Sequence, residues 1–137
     1  MNQTGPRGEL LVAEQLMARD WIVTTPLATA PYFDLLATKT GGAFLRIQVK
    51  TTLKQRSDGR PGRAEKYYQF QLARGLSSKK KYAKGEIDFF VCCCITDMKF
   101  WVIPFEAATV ITLKIYNGKN GKFHHFADAW ELLDKYK

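Results

Sequence analysis

Residues 33–52 read Phe33-Asp34-Leu35-Leu36-Ala37-Thr38-Lys39-Thr40-Gly41-Gly42-Ala43-Phe44-Leu45-Arg46-Ile47-Gln48-Val49-Lys50-Thr51-Thr52, and the fold is decided here. Phe33 to Thr38 and Phe44 to Thr52 predict two strands, and Lys39-Thr40-Gly41-Gly42 between them is a hairpin signal. Side chains alternate along a strand, so Leu45, Ile47 and Val49 share one face while Arg46, Gln48 and Lys50 share the other. The first face belongs to a core. The second sets Gln48 and Lys50 side by side, next to a strand that carries Asp34.

Upstream, residues 8–20 predict an amphipathic helix. At about 100° per residue, Val12, Leu16, Ala13, Met17 and Leu10 fall in one arc, with Arg19, Gln15, Ala18 and Glu14 opposite and Leu11 misplaced. Glu9 falls in the middle of the apolar arc. An inward carboxylate must lie near the helix end, be partnered, or meet a cation. Glu14 reads as an ordinary solvated residue. Trp21 to Thr25 is a short strand ended by Pro26.

Downstream, Lys54 to Lys66 is polar and without periodicity, and predicts a mobile loop. It carries Lys54, Arg56, Arg60, Arg63 and Lys66. Tyr67 to Leu72 predicts a strand whose tyrosines pack in the sheet. Ser77 to Lys84, with Lys79-Lys80-Lys81, predicts a short helix or a turn. Phe89 to Ile95 is uninterruptedly apolar, as a strand buried on both faces is. Cys92, Cys93 and Cys94 lie in it; contiguous cysteines offer neither a disulfide framework nor zinc-site spacing, and read as small buried hydrophobes. Lys99 to Ile103 is a further strand. Thr109 to Tyr116 and Lys122 to Phe126 flank Asn117-Gly118-Lys119-Asn120-Gly121 as a second hairpin. Asp128 to Tyr136 predicts a closing helix. His124 and His125 would point to opposite faces of their strand, so neither is assigned to a site.

The length of 137 residues suits a single domain over 1–137, and 46% hydrophobic residues exclude wholesale disorder. No apolar run reaches the roughly 20 residues of a membrane span, and Met1 to Gly8 lacks a signal-peptide core, so a soluble intracellular protein is expected. The net charge of +8 is unevenly spread. Lys39 to Lys84 holds 13 basic residues against two acids, Asp58 and Glu65, a local charge of +11, and the remainder sums to −3. A positive middle on an acidic remainder is the footprint of a polyanion binder.

These residues suggest a chemistry. Phosphodiester hydrolysis needs a divalent cation to offset charge on the phosphorus centre, and a group to orient or activate water. Mg²⁺ takes oxygen ligands, commonly one or two carboxylates with the substrate phosphate. Glu9, Asp34 and Gln48, with the Val49 carbonyl, supply metal ligands, and Lys50 supplies the group that orients or activates the water.

The chain resembles the PD-(D/E)XK nuclease superfamily, and within it the small group I intron-associated homing endonucleases with a Q-x-K motif. The likeness is carried by Gly5-Pro6-Arg7-Gly8-Glu9, Asp20-Trp21, Pro31-Tyr32-Phe33-Asp34-Leu35-Leu36 and Leu45-Arg46-Ile47-Gln48-Val49-Lys50-Thr51. Tyr82, Asp88-Phe89-Phe90-Val91 and Trp101-Val102-Ile103-Pro104 add to it. The resemblance implies an α/β, restriction-endonuclease-like αβββαβ core, a mixed central sheet flanked by helices. It further implies an Mg²⁺-dependent hydrolase of double-stranded DNA (Mn²⁺ serving in place of Mg²⁺), working as a homodimer or homotetramer in the cytoplasm, associated with the nucleoid. Glu9, Asp34 and Lys50 correspond to the family's helix carboxylate, invariant aspartate and catalytic lysine. Gln48 departs from the superfamily's usual acid; an amide oxygen is neutral and holds Mg²⁺ more weakly. The intron-type subgroup shares that substitution. Lys54, Arg56, Arg60, Arg63, Lys66, Lys79, Lys80 and Lys81 are the expected DNA-binding residues. Two alternatives keep the same fold: a resolvase selective for four-way junctions, and a non-catalytic DNA-binding protein with Gln48 as a decayed ligand.

Overall fold

The structure, a computed structural model, describes residues 1–28, 32–57, 59, 65–74, 80–116 and 121–136. Its elements run α1 (Thr4–Met17), β1 (Ile22–Thr24), β2 (Leu35–Thr38), β3 (Leu45–Thr52), β4 (Arg56–Ser57), β5 (Lys66–Gln71), β6 (Ala73–Arg74), β7 (Lys80–Lys81), β8 (Phe89–Cys94), β9 (Lys99–Pro104), β10 (Thr112–Tyr116) and α2 (Glu131–Asp134). Two 3₁₀ turns, Phe105–Ala107 and His124–Phe126, complete the described elements. No helix among the described residues is long and apolar enough to cross a membrane.

The central sheet has five strands in the order β1-β2-β3-β8-β9. β1, β2 and β3 form an antiparallel meander, β8 joins β3 in parallel, and β9 closes the far edge antiparallel. A parallel pair requires a long crossover. Here the crossover contains β4 to β7, and its described residues form strands where the αβββαβ order places a second helix. β10, β5 and β4 make a three-stranded sheet, and β6 pairs with β7 as a separate ribbon.

Two cores result. The predicted apolar face of β3, Leu45, Ile47 and Val49, packs with Val12 and Leu16 of α1, Val91 and Cys93 of β8, and Trp130 and Leu133. Phe90, Cys92 and Cys94 of β8 pack with Trp101 and Ile103 of β9 and with Tyr68, Phe70, Leu113 and Ile115 of the second sheet. β8 is therefore buried on both faces, as its unbroken apolar run predicts, and the three cysteines are free and buried. Burial pushes the Cys93 thiol up to about 12.

The structure corrects five local expectations. The helix starts at Thr4, and its buried residues are Gly8, Val12 and Leu16, spaced four apart. That stripe rotates the inward face away from the predicted arc, so Leu10 is 72% exposed and Met17 56% exposed, while Leu11 packs partly against the core. Lys54 to Lys66 is not all loop, because Arg56–Ser57 pairs with Lys66 and Tyr67. Such a short polar strand gives no period-two signal. Lys122 to Phe126 forms no strand; β10 pairs with β5, and Phe123 and Phe126 are buried three residues apart, a spacing that the 3₁₀ turn puts on one side. His124 and His125 are exposed on that turn. The closing helix shortens to Glu131–Asp134, since Asp128 adopts φ +50° and its N–H donates to the Phe100 carbonyl, tying the preceding chain to β9. Lys81 and Lys80 lie on β7, neither helix nor turn, while residues 75–79 lie outside the described residues.

Candidate active site

β2 ends its pairing with β3 at Leu35, opposite Ile47. One residue earlier, the Asp34 N–H donates to the Ile47 carbonyl at 2.9 Å, and the Asp34 carboxylate accepts from the Val49 N–H at 2.9 Å. A side chain thus occupies the place where the β2 backbone would continue the ladder. A residue's N–H and C=O leave a strand on the same side. The Val49 carbonyl accordingly leaves β3 on the β2 side, beyond the last β2–β3 pair.

Glu9 reaches the same place from α1. It lies beside the buried Gly8-Val12-Leu16 stripe, at its flank and not at its centre, and is partly buried. Burial, with a hydrogen bond to Asp34 and the negative charge there, pushes the Glu9 carboxyl up to about 7. Glu14 is exposed and accepts from the neighbouring Gln15 amide. Gln48 and Lys50 emerge on one face of β3, opposite Phe90 and Cys92 of β8. Lys50 is partly buried; its Nζ donates to the Ala73 carbonyl and to Tyr82 Oη, each at 3.3 Å. Burial lowers the Lys50 pKa, and the Asp34 charge acts in the opposite direction.

Glu9 and Asp34 therefore meet, and Asp34 is bonded to the strand that carries Gln48, Val49 and Lys50. Two carboxylates held beside one another are an oxygen donor set of the kind a hard divalent cation takes, and the Gln48 amide and Val49 carbonyl belong to the strand alongside. Among the described residues, no group of three His, Cys, Asp or Glu side chains suited to a metal comes together; this donor set has two.

The predicted basic residues divide. Lys54, Arg56 and Lys66 are exposed and, with Gln55, Ser57 and Asp97, line a shallow cleft of about 260 Å³. Lys81 is exposed on β7. Lys80 lies on β7, its side chain outside the description, and Arg60, Arg63 and Lys79 lie outside the described residues. Tyr67 and Tyr68 are buried.

One site residue, Gly8, was legible only as part of a motif. A Cβ there would sit 1.9 Å from Thr51 Oγ1, so glycine lets α1 approach β3 beside Glu9. A glycine inside a helix costs about 1 kcal/mol relative to alanine, and that is the signal that it serves contact. Tyr82, which the family likeness also includes, and Ala73 are the other two, and no spacing links them to Lys50.

A mixed sheet on which a helix carboxylate meets a strand-end aspartate, with a lysine on the neighbouring strand that feels the aspartate's charge, has the architecture of the restriction-endonuclease-like class. Comparison with known proteins agrees: the family profile described as PD-(D/E)XK endonuclease matches residues 1–133, and the chain belongs to that family. Among solved structures, the fold is similar to that of a bacterial homing endonuclease, I-Ssp6803I, with a TM-score of 0.73 at 16% identity, covering 95% of this chain and 90% of that one. No curated protein matches the sequence.

Proposed function

We propose that the protein is a divalent-cation-dependent DNA endonuclease, with Mg²⁺ as the cation and Mn²⁺ able to replace it. The observation that carries this reading is the meeting of Glu9 and Asp34 beside the strand bearing Gln48 and Lys50. Glu9, Asp34, Gln48 and the Val49 carbonyl would hold the cation, which when bound would neutralise charge developing on the phosphate. Asp34 is kept in place by the Val49 N–H, and Glu9 by the seating of α1 on β3. Lys50 orients the attacking water through Nζ, and its lowered pKa brings that nitrogen closer to accepting the water's proton. The exposed cations of β4, β5 and β7 follow the phosphate backbone of duplex DNA. A duplex has two strands and each chain one site, which supports a homodimer or homotetramer.

The test is cleavage of plasmid and of a labelled four-way junction, in Mg²⁺ and in EDTA. Metal-dependent cutting that disappears in Asp34→Ala and Lys50→Ala is the expected result. Preference for the junction would make the protein a resolvase. Tight, salt-sensitive binding without cutting in Mg²⁺ or Mn²⁺ would reduce it to a DNA-binding protein. Cutting that survives both substitutions would place the chemistry elsewhere.

A further inference from the structure

The lysine of the site is held by a different part of the chain from the one that holds the carboxylates. Its two acceptors, the Ala73 carbonyl and Tyr82 Oη, both belong to the crossover between β3 and β8. Ala73 opens β6, and Tyr82 directly follows β7. Ala73 pairs with Lys81, so one two-stranded ribbon delivers both oxygens to the same nitrogen.

Tyr82 is itself braced. Its ring stands edge-on to Phe90 at 5.5 Å and 77°, and Phe90 is the register partner of Gln48. The Lys50 ammonium also lies 5.4 Å from the centre of the Tyr82 ring. A lysine stem is long and rotatable, so its ammonium stays at one point only where fixed acceptors hold it there.

We infer that Tyr82 is a positioning residue for Lys50: its hydroxyl, with the Ala73 carbonyl, fixes where Nζ stands relative to Asp34 and Gln48. The ring packs against Phe90, and the hydroxyl aims the lysine. This inference rests on the proposed nuclease reading, in which Lys50 handles the attacking water.

Tyr82→Phe separates the two roles, since it keeps the ring on Phe90 and removes only the hydroxyl. In the full chain with Mg²⁺ and cleavable DNA, kcat is expected to fall about ten- to a hundredfold, the range of a lost hydrogen bond to a charged group. KM for DNA and the melting temperature stay as in wild type, which a merely structural residue would not allow. A second readout needs no activity: the Nζ resonance of Lys50 in ¹⁵N-lysine protein, assigned by its loss in Lys50→Met, moves in Tyr82→Phe. Tyr82→Met also lacks the hydroxyl and repeats the comparison if the phenylalanine variant folds poorly. Wild-type kcat, or an unmoved Lys50 resonance, overturns the inference. A resonance that moves in a protein that cuts nothing leaves the positioning intact and removes the nuclease reading instead.

Discussion

Gly8 of α1 faces Thr51 of β3 so closely that a Cβ on the glycine would lie 1.9 Å from Thr51 Oγ1, 2.6 Å from Cγ2 and 2.8 Å from Cβ. The threonine is short and sits on a core strand, so it cannot swing clear as a long side chain would. Gly8→Ala must therefore push the helix outward, carrying Glu9 with it. Overpacking costs about 1–3 kcal/mol, and alanine's better helix propensity returns about 1. The variant is expected to melt a few degrees lower. A displacement of about 1 Å at reacting groups can cost about a hundredfold in rate, so cleavage falls further than stability does. Pairing it with Thr51→Ala relieves part of the clash and restores part of both. Melting curves and kcat for the two variants check this; unchanged activity in Gly8→Ala would remove helix seating from the account.

Glu9 and Asp34 repel one another, so the metal-free site is a source of instability. Glu9→Gln replaces a partly buried carboxylate by a neutral group of the same shape. Without metal at pH 8, its melting temperature should rise by about 2–4 °C, the change that about 1 kcal/mol brings in a domain near this size. Cleavage should be lost over the same substitution. Scanning calorimetry in EDTA, with a plasmid assay in Mg²⁺, reads both. A drop in melting temperature would mean that Glu9 is a stabilising residue and no part of a cation site.

Gln48→Glu tests the departure from the usual acid. If the amide oxygen ligates the cation, adding a charge lowers the Mg²⁺ concentration for half-maximal cleavage and strengthens metal binding by calorimetric titration. The extra carboxylate also lowers the metal-free melting temperature. A variant that folds normally with an unchanged metal requirement would show that Gln48 stands outside the coordination shell.

The residues of the candidate site that the structure brings together were legible because their signals are local. Leu45, Ile47 and Val49 alternate with Arg46, Gln48 and Lys50, and the hairpin brings Asp34 beside them within 16 residues of sequence. Glu9 was legible as a carboxylate among apolar neighbours, although exposed Leu10 and Met17 misled the placement of the inward arc. Hydrophobic residues on a surface are common, and a short helix has too few turns to average them out. β4, β6 and β7 were illegible because a two-residue strand carries no period. The partners of Lys50 lie 23 and 32 residues away and touch it only through tertiary packing.

Asp88 sits where β8 begins, is 4% exposed, and gathers four contacts. Its carboxylate accepts from the Arg46 backbone N–H at 2.7 Å, from the Arg46 guanidinium at 3.0 and 3.1 Å, and from Tyr136 Oη at 2.6 Å. This ties the parallel β3–β8 pair, on which Gln48 and Lys50 are displayed, to the chain after α2. Burial alone would raise the Asp88 pKa, yet the bonds from Arg46 and Tyr136 outweigh it and hold the carboxyl below its ordinary value. An acid with a depressed folded pKa stabilises the fold fully above its unfolded value, near 4, and loses that stabilisation as pH falls through the folded value. Wild-type stability owed to Asp88 is thus constant from about pH 5 upward and declines in acid. Asp88→Asn should cost about 1–3 kcal/mol at neutral pH by weakening the hydrogen bonds that Arg46 and Tyr136 donate to the buried carboxylate. It should also flatten the acid limb, so the two urea midpoints converge as pH falls below about 4. Midpoints measured from pH 3 to 8 decide it: parallel curves would mean that Asp88 keeps its charge without stabilising the sheet through it.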